Sequence, residues 1–377
     1  MTSKPFRDIA STLHSAVRQK NIPGLDAMRA TAILAVIAYH FQVPVASALG
    51  VIIFFVLSGF LITGMLIKEI KRSGTISIRT FYSRRAYRIF PAFYVCWFVT
   101  MGLALWKRQP VTWSNAAGTF FYFADYGRAF LTLKQQYSYQ MGVSWSLAVE
   151  EQFYLLWPLA LLWIYKRKRP LRAVAWIIFI LWLWRALLVI GFHVSWDYAY
   201  NAFDTRADAL MVGCWLAVMV YREKDVPRSI RFWLSNRWLV LIPVAALAVI
   251  SSMDVYGRLS SSQQVVEFTL DPVLTAILLL QWIYWGFTDW TLLEHPLVKF
   301  IARISYSLYL YHQVVHSLYP EIHRLLPLPH GRNALNALLF LLVACASYFW
   351  IERPFMRLRD RGRRASVLMD DGIGRGV

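Results

Sequence analysis

Acidic residues are scarce in this chain, with 21 Asp and Glu against 40 Lys and Arg, and only 16% of its 377 residues are charged. No polar stretch is long enough to build a separate globular domain. Apolar residues make up 58% of the total, more than a soluble core would bury, which excludes the ordinary soluble classes. Cysteine is also sparse: Cys96, Cys214 and Cys345 fall in apolar runs without CxxC or Cys/His spacing, which argues against a zinc site or a disulfide framework. Long internal repeats, low-complexity tracts and coiled-coil heptads are absent. The polar, basic N-terminal segment lacks the short apolar region and small-residue cleavage site of a signal peptide, so the first span reads as a retained anchor. The net charge of +19 comes in short bursts between apolar runs rather than as a stripe on one surface, so no nucleic-acid partner is expected.

What is present is a series of apolar runs of membrane length. They predict an all-α, polytopic helical bundle with about ten transmembrane helices, near 27–46, 49–70, 88–106, 144–165, 173–194, 207–222, 238–253, 268–288, 304–319 and 333–351. The segment "NAAGTFFYFADYG" at 115–127 holds only about 12 apolar residues, too few to cross a bilayer of about 30 Å, and is read as re-entrant or interfacial. With that assignment the basic bursts at Lys68 to Arg88, 166–172 and 222–237, together with the tail from Arg353, share one side with the N-terminus. By the positive-inside rule that side is cytoplasmic, so both termini are expected there. The expected organisation is a basic cytoplasmic segment 1–26, a membrane domain 27–356 and a basic, disordered tail 357–377.

Several ionisable residues fall within or beside these runs. Arg29 and His40 are eleven positions apart, about three helical turns, so both project from one face about 16 Å apart. Arg29 lies near the cytoplasmic entrance, where snorkelling to headgroups is an alternative role. His40 lies deeper, and an ionisable ring there is a functional candidate. In "RTFYSRRAYRIFP", Arg85 and Arg88 share a face with Arg84 beside them, a fork suited to phosphate, with lipid headgroups or topology signalling as the alternatives. "SWSLAVEEQFYLLWP" carries Glu150 and Glu151, of which one can face a cavity and orient an imidazole; pairing with Arg185 or Arg206 is the structural alternative. "DTRADALMVG" adds Arg206, with Asp204 and Asp208 on one helical face. His312 and His316 have metal-ligand spacing but no third ligand nearby in sequence, so core histidines are expected and no metal site is. Interface anchoring suffices for Glu352 and Arg353.

Taken in order, Arg29 and His40, "FFVLSGFLIT" at 54–63, Arg85-x-x-Arg88, "WSLAVEEQFYLLWP" at 145–158, "SYSLYLYH" at 305–312 and "ERPF" at 352–355 give a pattern that resembles acyltransferase family 3, the integral membrane O-acyltransferases of bacterial glycans. The resemblance covers about 24–356. Ile52 stands where the family often has an acidic residue and Val314 where it often has proline, which puts family roles at those two positions in doubt. It implies an O-acetyltransferase of the bacterial cytoplasmic (inner) membrane, in a stand-alone form without a fused hydrolase-like domain. Acyl-CoA, most simply acetyl-CoA, would be the donor substrate, with no permanently bound cofactor. The acceptor would be a glycan or lipid-linked glycan, with membrane lipids as further partners. Under it, His40 is the general base, Glu150 its orienting partner, and Arg29, Arg84, Arg85 and Arg88 the donor-side residues. Ser58, Tyr154, Arg206, Asp208 and His312 are further site candidates. The competing expectation is a transporter or flippase in which the buried charges line a path.

Overall fold

The computed structural model describes residues 9–40, 49–130, 141–222, 226–255, 260–288, 290–318, 320–321, 324 and 332–361. Every regular element among them is helical. Helices satisfy their own backbone groups, which is what a chain immersed in hydrocarbon requires. In chain order they are α1 (Ile9–Arg18), α2 (Leu25–His40), α3 (Leu49–Ser73), α4 (Ile78–Trp106), α5 (Trp113–Phe120), α6 (Ala124–Phe130), α7 (Ser144–Tyr165) and α8 (Pro170–Ala186). There follow α9 (Trp196–Asn201), α10 (Phe203–Arg222), α11 (Arg228–Ser235), α12 (Leu241–Val255), α13 (Ser261–Thr288), α14 (Pro296–Ser317) and α15 (Arg332–Ser347). Helices α8 and α15 each run on into a π-helical turn, Leu187–Gly191 and Tyr348–Glu352.

Two compact units form. The first draws on Met1–Ile76, Phe121–Lys134 and Ser144–Arg303, the second on Ser77–Phe120, Gln135–Val143 and Ile304–Val377. In the first, α3 is the central helix, packed against α2, α7, α10 and α13. Its contact with α10 is close because each helix presents a glycine to the other's backbone: a Cβ on Gly59 would overlap the Leu210 carbonyl, and one on Gly213 the Val56 carbonyl. Small residues at such a crossing bring helix axes together where no hydrophobic drive separates protein from lipid. Gly24, entering α2, has a φ of 77° and donates its N–H to Glu294 at 2.9 Å, and a Cβ there would press on the Trp282 carbonyl oxygen at 2.7 Å. In the second unit, Tyr306 on α14 donates to the Ile89 carbonyl of α4 at 3.0 Å, and the Cys96 thiol donates to the Leu310 carbonyl at 3.5 Å.

Six helices among the described residues are long and apolar enough to cross a membrane: Leu49–Ser73, Ile78–Trp106, Ser144–Tyr165, Pro170–Gly191, Ser262–Gly286 and Leu335–Arg361. A bent pair, Arg228–Ser235 and Arg237–Met253 at 102°, makes up to seven. These match seven of the ten expected runs. The other three, near 27–46, 207–222 and 304–319, are helical but do not meet that standard, for readable reasons. Helix α2 has 16 residues within the described part, and 41–46 lies outside it. Helix α10 begins with Asp204, Arg206 and Asp208, and α14 carries Lys299, Arg303, His312 and His316. The 115–127 segment folds as parts of two short helices, α5 and α6, of eight and seven residues, each about 10–12 Å long and unable to span. Cys96 and Cys214 are buried free thiols, and Cys345 is free and half-buried. The expected disordered tail falls mostly at 362–377, outside the described residues.

Candidate active site

His40 is the last residue of α2, half-buried, with its ring 5.3 Å from that of Tyr39. Arg29 lies one turn into the same helix, and its Nη1 donates to Asp26 at 2.9 Å. The sequence reading did not single out Asp26, although its i,i+3 spacing marks it as a neighbour, and it satisfies part of the charge on Arg29. On α7, Glu150, Tyr154, Trp157 and Leu161 form one stripe at i, i+4, i+7 and i+11. Two contacts turn this stripe towards α3. Tyr154 and Ser58 share a short hydroxyl–hydroxyl hydrogen bond, and the Trp157 indole donates to Thr63 at 2.8 Å. The structure therefore brings Ser58 and Tyr154 together, with Glu150 half-buried one turn away at the start of α7. Gln152, on another face, donates to the Tyr122 carbonyl and to Asp125. Asp125 is completely buried, and burial pushes its carboxyl up to about 6.

A second cluster in the same unit sits between α8, α10 and α13. Arg185, fully buried just before the π-turn of α8, pairs with Asp208 at 2.8 Å and donates further to the Thr205 carbonyl and Thr269. The Trp182 indole donates to the same Asp208 carboxylate at 3.0 Å. The acid that holds Arg185 is thus Asp208, twenty-three residues on. Asp204, one turn earlier, receives Trp184 at 2.7 Å and the hydroxyls of Tyr126 and Tyr198. Arg206 is buried against aromatic faces, 4.3 Å from the ring centre of Phe268 and 5.4 Å from that of Tyr200. Its Nε and Nη2 have no hydrogen-bond partner among the described residues. Buried Glu267 and Asp271 of α13 complete the cluster; the sequence reading passed over them, although they share one helical face at the i,i+4 spacing of Asp204 and Asp208.

The second unit holds the remaining candidates. Arg84, Arg85 and Arg88 lie in the first three turns of α4, ahead of Pro91, with Arg84 and Arg85 half-buried and Arg88 exposed. Glu352, expected as an interface anchor, is instead 3% exposed. It accepts a short hydrogen bond from Ser307, whose oxygen in turn accepts from the Ser347 hydroxyl at 3.0 Å, and Arg88 is the cationic side chain on its side of the unit. The reason is the π-turn Tyr348–Glu352, packed against α4, which holds this side chain inside. His312 is buried, with Nδ1 2.7 Å from the Tyr309 carbonyl. A carbonyl only accepts, so Nδ1 carries the proton and Nε2 is the acceptor of the neutral ring. His316, one turn on, is exposed, so the pair does not converge. Among the described residues no three His, Cys, Asp or Glu side chains could share a metal ion.

A helical chain with several membrane-length spans and buried, paired charges defines a polytopic membrane protein. The chain belongs to the acyltransferase-domain family, whose pattern it matches over residues 22–351. It is 27% identical over 387 residues to the O-acetyltransferase OatA of Staphylococcus aureus (strain NCTC 8325 / PS 47), covering 98% of this chain and 62% of that protein. A second Staphylococcus aureus protein, from strain COL, is 28% identical over 361 residues, covering 90% of this chain and 58% of its own length. The chain thus spans about three-fifths of the length of the relatives it matches. No solved structure matches it.

Proposed function

We propose that the protein is a membrane-bound O-acyltransferase that moves an acetyl group from cytoplasmic acetyl-CoA to a hydroxyl of a cell-envelope glycan or lipid-linked glycan. The family match over 22–351 and the relatives named as O-acetyltransferases support acyl transfer. The single observation that carries the residue assignment is α2, which places Arg29 and His40 on one helical face about 16 Å apart. In this reading Arg29 lies on the donor side and His40 is the general base. The imidazole takes the proton of the acceptor hydroxyl as its oxygen bonds to the thioester carbonyl carbon. The C–S bond then breaks and CoA leaves as a thiolate that takes up a proton. Arg84, Arg85 and Arg88 are assigned to the CoA phosphates on the chemistry of clustered guanidiniums, and Glu150 to orienting His40. Ten spans, an inner-membrane location and cytoplasmic termini complete the proposal.

The test is NMR of envelope glycan from a deletion strain complemented with wild type or His40→Ala. The expected outcome is loss of O-acetyl signals with the glycan yield intact. Loss of the glycan itself in the His40→Ala strain would overturn acyl transfer in favour of transport. The same spectra identify the acceptor hydroxyl.

A further inference from the structure

We propose that the first unit contains a specific site for one anionic phospholipid, with an acyl chain in an apolar pocket beneath α11 and the headgroup at arginines on its rim. The pocket has a volume of about 370 Å³, within the range of ligand sites, ~300–1,000 Å³. Its walls come from α8, α10, α11 and α13 and include Ile178, Trp182, Trp215, Ile230, Trp233 and Ala276. Apart from the Ser229 hydroxyl and the indole N–H groups, the lining side chains are apolar, which suits hydrocarbon and not a sugar or a nucleotide.

The pocket is built rather than left over. The indole N–H of Trp182 is fixed to Asp208, which also holds Arg185, so one wall is braced by the buried ion pair. Gln281, fully buried on α13, donates its side-chain N–H to the Trp233 carbonyl at 3.0 Å and pins α11 in place as the roof. Helix α11 turns by 102° from the segment that follows it, Arg237–Met253, so it crosses over the pocket instead of continuing the line of that segment.

Charge selects the occupant. Arg228 and Arg231 are exposed on α11, beside the lining residues Ser229 and Ile230. Arg172 is exposed on α8, three residues before the lining residue Ala175 and on its face. Neither α8 nor α11 contains an acidic residue. Hydrocarbon below three guanidiniums is complementary to a lipid with an anionic headgroup, and a zwitterionic one gains less there. This assignment does not depend on the acyl-transfer reading.

The test uses the full chain in phosphatidylcholine vesicles doped with phosphatidylglycerol that carries a photoreactive diazirine in one acyl chain, with cross-linked peptides mapped by mass spectrometry. Labels should concentrate at 230–233 and 276–280 and be displaced by unlabelled phosphatidylglycerol but not by phosphatidylcholine. Ala276→Phe, which fills the pocket, should remove them while leaving labels on the exposed Trp176 and Phe179 of α8. Arg172→Gln and Arg228→Gln are surface changes that keep the pocket, and each should weaken the preference for the anionic lipid about fivefold. If Ala276→Phe does not fold, the arginine variants still decide the matter. Labels spread evenly over the lipid-facing helices, equal displacement by phosphatidylcholine, or cross-links between copies of the chain across α11 would each overturn the proposal.

Discussion

Asp125 carries its carboxylate into a fully buried position with Gln152 as a side-chain donor, and its Oδ2 has no hydrogen-bond partner among the described residues. Burial raises its pKa from 3.8 to about 6, so the folded state holds the proton more tightly than the unfolded chain does. The sign follows from linkage: this group's contribution to stability is greatest below its unfolded pKa and is lost as pH rises through about 6. Asp125→Asn keeps an acceptor for Gln152 and removes the charge. It should be more stable than wild type at neutral pH, by about 2 kcal/mol, with the advantage vanishing near pH 4. Thermal unfolding in detergent across that range checks it, and parallel curves for the two proteins would refute it. The Arg185–Asp208 pair behaves oppositely. Asp208→Ala leaves a guanidinium buried without its carboxylate and should cost about 3–5 kcal/mol, read as a lower melting temperature, whereas an exposed pair such as Arg359–Asp360 should contribute at most about 1 kcal/mol.

Helix α3 illustrates what an element contributes. Its apolar run was legible from composition, since "VIIFFVLSGFLITGMLI" contains no charge. Which of its faces meets α10 was not, because a helix that is apolar all round carries no amphipathic signal. Only the packing shows that Gly59 and Gly213 are the points of closest approach. Gly59→Ala and Gly213→Ala should each lower stability by about 1–3 kcal/mol through overpacking, while Gly102→Ala, where an added methyl meets nothing within 4 Å, should not. Melting temperatures of the three variants test this directly. The same limit applies to Glu352. The motif "ERPF" was visible in the sequence, but the π-turn that carries its carboxylate inward to Ser307 depends on backbone geometry that no residue spacing announces.

At the scale of the whole molecule, the division into two units separates the candidates: His40, Glu150, Ser58 and Tyr154 belong to the first, and Arg84, Arg85, Arg88 and His312 to the second. Charge in the second unit is expected to act on donor use. Arg85→Ala and Arg88→Ala should raise the apparent KM for acetyl-CoA about tenfold each, as loss of a charge-assisted hydrogen bond of about 1.5 kcal/mol would. An unchanged donor KM in both variants would remove them from the CoA site. Topology is tested by single cysteines in a cysteine-free background. A probe at Lys168 should react only after the membrane is opened, and one at Asp197 from outside in intact cells, since the basic bursts are expected in the cytoplasm. Reaction of both from the same side would displace the ten-span arrangement.

The amino-acid sequence by itself determined that the chain is helical and enters the membrane, because apolar runs of that length leave the backbone no other means of satisfying its polar groups. It also determined that Arg29 and His40 share a face, since helical periodicity alone sets their angle. Tertiary structure alone decided the partners: Asp208 for Arg185, Ser58 for Tyr154 and Ser307 for Glu352. These contacts join residues 23, 96 and 45 positions apart, respectively. They depend on how closely particular helices approach and how each is rotated about its axis, and packing sets both of these.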